Sequence, residues 1–402
     1  MSKQKSASTA AAAPSRFAGA FWLLALIPLL LLGGVLAFLV ATGGGLQELA
    51  GPPVEKVTIE KITLPQPGLI VVDVINDGPQ TVTIAQVTVD DAYWMFEAAP
   101  SPTLPRLGRA SLTIPYPWVK DEAHDIVLLS SIGTAFAGEI PVAVQTPQPS
   151  AGLFGRFGLI GLYVGIVPIV LGLLWYPFMR RLGKNAMNFI LSLTVGLLVY
   201  LTVGTWLDAM EFAAELPAFW QGVPLTFFIA LLTLGGLLAI GSFRRGGDQT
   251  PLNVSYLIAL GIGFHNLGEG LAIGAAYSLG EAALGTFLVL GFTLHNITEG
   301  VGIAAPVVKQ NPGIRHFALL ALLAGGPAIL GTWIGGFSFN PVLATAFLAI
   351  GVGAILQVVW EVGKLVARES ERLGAPLLNW VNLSGLLVGI ALMYFTAFFV
   401  KF

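Results

Sequence analysis

The stretch Ile258-Ala-Leu-Gly-Ile-Gly-Phe-His265-Asn-Leu-Gly-Glu269-Gly-Leu-Ala-Ile-Gly-Ala275 places an imidazole, an amide and a carboxylate in the middle of an otherwise apolar run. Thirty positions after His265 the pattern recurs as His295-Asn-Ile-Thr-Glu-Gly300, again inside an apolar run, and these two histidines are half of the chain's four. Ionisable groups at membrane depth are costly, so they face a cavity or one another and mark a substrate or ion path. On a helix, positions i, i+1 and i+4 fall in one broad sector, which directs His265, Asn266 and Glu269 to one side, and likewise His295, Asn296 and Glu299.

Working outward, the whole chain has the composition of a polytopic α-helical membrane protein. Its 402 residues are 55% hydrophobic and 10% charged, with a mean hydropathy of +0.81. A soluble globule of average make-up is excluded. With no cysteine, thiolate metal sites and disulfides are excluded too, and the net charge of −2 carries no nucleic-acid signal. Apolar runs long enough to span a bilayer predict nine spans, near 17–42, 156–178, 186–207, 219–242, 252–278, 283–306, 316–337, 341–365 and 377–400. The first has a longer apolar stretch than a signal peptide and no A-x-A site after it, so it reads as an uncleaved anchor.

Basic residues set the expected orientation. Lys3, Lys5 and Arg16 precede the first span; Arg180, Arg181 and Lys184 follow the second; Arg244 and Arg245 follow the fourth. Lys309 and Arg315 follow the sixth, and Lys364, Arg368 and Arg372 lie at the end of the eighth. Every second loop is therefore basic, which predicts a cell-membrane protein with a cytoplasmic N-terminus and with residues 51–150 and the C-terminus outside.

The domain division expected is 1–50 as tail and anchor, 51–150 as a β-sandwich, and 151–402 as an eight-helix bundle. Leu69-Ile-Val-Val-Asp-Val-Ile75 and Thr81-Val-Thr-Ile-Ala-Gln-Val-Thr-Val89 are β-branched runs separated by the turn cluster Asn76-Asp-Gly-Pro-Gln80. About 100 residues of this pattern suit an immunoglobulin-like sandwich. His124, in Lys120-Asp-Glu-Ala-His-Asp125, reads as a solvated loop residue, and Gln145-Thr-Pro-Gln-Pro-Ser-Ala-Gly152 as the linker into the bundle.

Depth joins the two motifs. At 1.5 Å per residue, His265 lies roughly 20 Å from its helix end near 278 and His295 roughly 18 Å from its own near 283. Antiparallel neighbours would bring both to the midplane. Imidazole with carboxylate suits zinc, Fe(II) and manganese. Gly261, Gly263, Gly270, Gly274, Gly291 and Gly300 would let these helices approach closely.

Residues 155–402 resemble the ZIP divalent-metal transporters, chiefly the prokaryotic branch, whose fourth and fifth core helices carry HNxPEG-like motifs. The resemblance implies an eight-helix transport bundle with paired metal sites: His265, Glu269 and Glu299 in the main one, and Asn266, Asn296 and Glu299 in an adjoining one. It implies a relay role for His295 and a seventh-helix exit ligand at Glu361, with a solvated helix-end charge paired with Lys364 as the alternative.

There are departures. The family's motif proline is Gly268 in one copy and Thr298 in the other, Gly326 stands where relatives place a sixth-helix glutamate, and Leu198 where they place a methionine or histidine. Asp208, Glu211 and Glu215 would form an acidic rim outside the third span, and His316 reads as a helix-end residue. The expected function is uptake of a divalent transition metal into the cytoplasm, zinc first, with iron, manganese or cadmium as alternatives. No organic cofactor or enzymatic activity is expected. Expected partners are the ion and the lipid bilayer; a homodimer is compatible. An intramembrane metal-dependent hydrolase using the same residues is the alternative, though no HExxH pair or nucleophile motif is present. A metal sensor with a partner-binding β-domain is a third reading.

Overall fold

The structure is a computed structural model and describes residues 18–42, 54–243, 250–278, 282–338 and 340–400. Lys3, Lys5, Arg16, Arg244 and Arg245, used in the orientation argument, lie outside the described residues. The chain divides into two compact units, Met1–Val54 and Glu55–Phe402. In the first, helix α1 spans Ala18–Thr42.

The second unit opens with an antiparallel β domain: β1 Val57–Gln66, β2 Leu69–Asn76, β3 Val82–Val89, β4 Ala92–Trp94, β5 Glu97–Ala99, β6 Thr103–Leu104, β7 Arg109–Ile114, β8 His124–Ser130 and β9 Ala135–Ile140. One sheet has the order β1-β2-β7-β5; the other runs β4-β3-β8-β9, with β6 beside β3. This is the ABED and CFG arrangement of an immunoglobulin-type sandwich. Alternate residues fill the space between the sheets, Ile70, Val72 and Val74 from β2 against Ile84, Val87 and Val89 from β3. Asn76 makes the turn between them: its Nδ2 donates to Gln80 O at 2.6 Å and Leu104 O at 2.7 Å, and its Oδ1 accepts from Gly78 N at 3.0 Å. The following segment is pinned to β1, with Thr146 Oγ1 accepting from Leu64 N at 2.8 Å.

His124 departs from expectation. It begins β8, is 4% exposed, and its Nδ1 lies 2.8 Å from Asp90 Oδ2. Tyr116 packs edge-on against it and donates to the same carboxylate at 2.5 Å, while Asp125 N donates to Asp90 Oδ1 at 3.0 Å. The polar segment Lys120–Glu122 suggested a loop, but the alternation that follows draws His124 into the sheet. Burial alone would raise the Asp90 carboxyl; the hydrogen bonds from Tyr116, His124 and Asp125 outweigh it and hold the group below the usual carboxylate value. Such a depressed group stabilises the fold fully above its unfolded pKa of about 3.9, and the contribution is lost as pH falls through the folded value. The bond to Asp90, with burial, pushes Tyr116 up to about 12, so its contribution is complete below about 10 and lost as pH rises from there through about 12. Asp90→Asn should lower the β-domain melting temperature at pH 6 by about 4 °C, read by near-UV circular dichroism on the full chain. The gap to wild type should close below pH about 4; a constant gap down to pH 2 would show that the charge is not what holds the cluster.

Eight further helices form the bundle: α2 Ala151–Met179, α3 Lys184–Glu215, α4 Gly222–Phe243, α5 Pro251–Ser278, α6 Ala282–Ala304, α7 Ile314–Ser338, α8 Pro341–Arg372 and α9 Trp380–Val400. Among the described residues seven helices, α2 to α8, are long and apolar enough to cross a membrane; α1 and α9 contribute shorter apolar stretches, Leu26–Leu39 and Trp380–Phe395. The chain is thus a polytopic α-helical membrane protein carrying a small β domain. Ser150 caps α2 by accepting from Leu153 N at 3.1 Å. Helix α3 continues past 207 to Glu215, so Asp208, Glu211 and Glu215 form part of its exposed last turns rather than a loop.

Helix α5 is the most enclosed, with 78% of its apolar window buried against 17% for α4. Its neighbour α7 approaches until backbones touch. A Cβ at Gly270 would meet the Ala328 carbonyl, and one at Gly331 the Leu267 carbonyl. Only glycine fits such a seam.

Candidate metal centre

Both motifs meet at the inner face of α5 and α6. His265, Asn266 and Glu269 on α5, and His295, Asn296 and Glu299 on α6, are all buried, the most exposed being His295 at 7%. Glu269 bridges the histidines: its Oε1 lies 3.1 Å from His265 Nε2 and 2.6 Å from His295 Nε2. Asn296 Nδ2 donates to Glu269 Oε2 at 3.3 Å.

Each asparagine is aimed by a backbone carbonyl of a neighbouring helix. Asn296 Nδ2 donates to Val164 O at 3.1 Å, at the π-helical turn Leu162–Ile166 of α2; Pro168, four residues on, has no amide hydrogen to give that carbonyl. Asn266 Nδ2 donates to Ala324 O at 3.0 Å on α7, next to the Leu323 carbonyl that Pro327 leaves without a helix donor. Both asparagine Oδ1 atoms are then left buried without a hydrogen-bond partner. Thr298 Oγ1 donates to His295 O at 2.6 Å, a back-bond of the kind that bends helices.

Glu299 is the decisive group. It is 2% exposed, and neither carboxylate oxygen has a hydrogen-bond partner; the Asn266 side chain lies beside it. A buried carboxylate left so costs several kcal/mol unless something balances it. Ligand atoms of His265, His295 and Glu299 lie within 4.8 Å of one another. Bonds of about 2.0–2.2 Å to a divalent ion would draw them to roughly 3.5 Å apart. The two histidines differ: His295 is tied at Nε2 by Glu269 and faces the Gly291 carbonyl, whereas His265 Nδ1 is buried without a partner.

A small cavity of about 10 Å³, room for roughly one water, adjoins this cluster and is lined by His295, Thr298 and Glu299 with Thr194, Leu198 and Met393. Met393, on α9, was not singled out from the sequence; nothing in its apolar surroundings marks it. Leu198, which stands where the resemblance suggested a further ligand, lines this cavity. At Gly326 an added Cβ would meet only Leu322 of its own helix. Glu361 is away from the cluster: it is 2% exposed and accepts from Lys364 Nζ at 2.6 Å, a buried pair rather than a solvated charge. His316 Nδ1 lies 2.9 Å from Tyr256 Oη at the start of α7, a helix-end contact.

Residues 246–397 match the family model described as ZIP Zinc transporter. The match covers α5 through most of α9, and with them both motifs; α2, α3, α4 and the β domain lie outside it. No curated protein matches the chain. Together with the seven membrane-capable helices, the match supports a multi-pass membrane protein of divalent-metal transport.

Proposed function

We propose that the protein takes up a divalent transition metal, zinc in first place, and delivers it inward through the α5–α6 cluster. The observation that carries this reading is the Glu299 carboxylate, buried and unbonded within ligand distance of two histidines. His265, Glu269 and Glu299 serve as the main ligand set, with the Asn266 and Asn296 oxygens on the adjoining side and Glu361 as a station on the exit path. In this reading the metal sheds water onto His265 and Glu299, and Glu269 exchanges its hydrogen bonds to the imidazoles for the ion. His295, anchored at both ring nitrogens, holds Glu269 in place and relays protons. The acidic turns at Asp208, Glu211 and Glu215 raise the local cation concentration at the mouth. The N-terminus lies in the cytoplasm, with the β domain of 51–150 and the C-terminus outside, and residues 151–402 are the transport unit.

The test is uptake by proteoliposomes across zinc, cadmium, manganese and iron. Saturable uptake with zinc preferred is expected, and no uptake of any of the four would refute the reading. His265→Ala should lower uptake about tenfold more than His295→Ala, because it removes a ligand rather than a supporting contact. The reverse order would exchange the two roles.

A further inference from the structure

At one end of the bundle, where α2 and α6 finish, α3 and α5 begin and α8 ends, a cavity of about 470 Å³ is lined by Arg180, Lys184, Lys309, Arg368 and Arg372, with Glu369 as the one carboxylate. The charges do not balance. Glu369 is shared by Lys309, at 3.2 Å, and Arg372. Arg180 donates to the neutral Asn311 Oδ1 at 3.1 Å. Lys184 and Arg368 have no ion-pair or hydrogen-bond partner among the described residues.

Two backbone features add to the positive field. Lys184 and Pro251 are the first residues of α3 and α5, so two helix N-termini open on the same space. Gly183, the residue preceding α3, offers its amides no side-chain cap. The inner wall is apolar, built from Met179, Leu191, Val254 and Leu365. All five basic residues are solvent-exposed, yet they come from separate helices and loops and line one hollow above an apolar floor.

We propose that this cavity binds a phosphate-bearing anion, its phosphate between Lys184, Arg180 and Arg368 and any hydrocarbon portion on the apolar wall. A phosphate ester is the chemistry that matches: it accepts several charge-assisted hydrogen bonds at once and suits helix N-termini. Two sources share it, the headgroup of an anionic phospholipid and a soluble phosphate compound. Basic pockets between transmembrane helices are used for lipid headgroups elsewhere. The bound anion links α2, α3 and α8 through their basic side chains.

The experiment uses the full chain in a neutral detergent with three probes: phosphatidylglycerol, phosphatidylcholine with the same acyl chains, and inorganic phosphate. Binding is counted by native mass spectrometry and titrated by thermophoresis. Phosphatidylglycerol should bind well above phosphatidylcholine, and Lys184→Gln/Arg368→Gln should weaken it about 25-fold at roughly fivefold for each charge removed. The charge-matched pair Arg181→Gln/Arg315→Gln, whose residues do not line the cavity, should change it less than about threefold. Inorganic phosphate binding with the same sensitivity to the Lys184/Arg368 pair would assign a soluble phosphate compound as the source. If the double variant fails to fold, Arg368→Gln alone should show the fivefold loss. Equal binding of the two lipids without phosphate binding, or equal loss from both variant pairs, would overturn the proposal.

Discussion

A Glu299→Gln protein in proteoliposomes is expected to take up divalent metal at least about 100-fold more slowly than wild type, because even supporting groups around a metal cost 10–100-fold and this one is assigned as a ligand. The same substitution should raise the melting temperature in metal-free detergent. Glu299 makes no hydrogen bond that glutamine would lose, and the change removes an unpaired charge from a site 2% exposed while keeping its shape. The two effects have opposite signs, which a purely structural role could not produce: there uptake and stability would fall together. Uptake within threefold of wild type would place the path elsewhere.

Gly270→Val should prevent the bundle from assembling. The added Cβ would fall on the Ala328 carbonyl of α7, which is backbone and cannot rotate away. Overpacking typically costs about 1–3 kcal/mol and more where backbone must move. Size-exclusion chromatography of the detergent-extracted protein should show loss of the monodisperse peak. Gly268→Ala, two residues earlier on the same helix, is the contrast: its Cβ would lie 3.4 Å from Phe347 O, an ordinary contact. That protein should extract and transport normally. If both variants behave alike, the seam between α5 and α7 is not what limits the approach of these helices.

The helices were legible because a bilayer demands long apolar runs, and the predicted spans meet the observed helices to within a few residues at most ends. The clearest miss is the end of α3. Reading by hydrophobicity stops where Asp208 appears, but Leu207–Glu215 is rich in alanine, methionine and glutamate, and hydrogen bonding continues through it. The meeting of His265 with His295 followed from equal depth alone. What depth could not reveal was orientation within the cluster: Glu269 between the two imidazoles, and Asn296 turned by Val164 O. The π turn stands just before Pro168, whose missing amide was the one signal in the sequence for a displaced carbonyl there, and Met393 reaches the site from α9 with no motif around it. Arg180, Lys184, Lys309 and Arg368 were visible as orientation signals; their convergence on one hollow depends on how five helices end together, which spacing along the chain does not encode.

Asp77, in the turn after β2, accepts a hydrogen bond at 2.8 Å from Ala218 N, in the short helical turn that joins α3 to α4, and is also paired with Lys56 at 2.7 Å. The loop between two bundle helices is therefore fastened to a folded domain large enough to carry a label or an antibody fragment. A pair of spin labels, one on an exposed β9 residue such as Glu139 and one on an exposed α8 residue such as Glu371, would act as a ruler across the protein. Its reading would follow the α3–α4 corner without placing any probe inside the transport path. The same fastening gives a clamp: a rigid binder that grips the β domain against a second surface would arrest that corner from outside the bilayer.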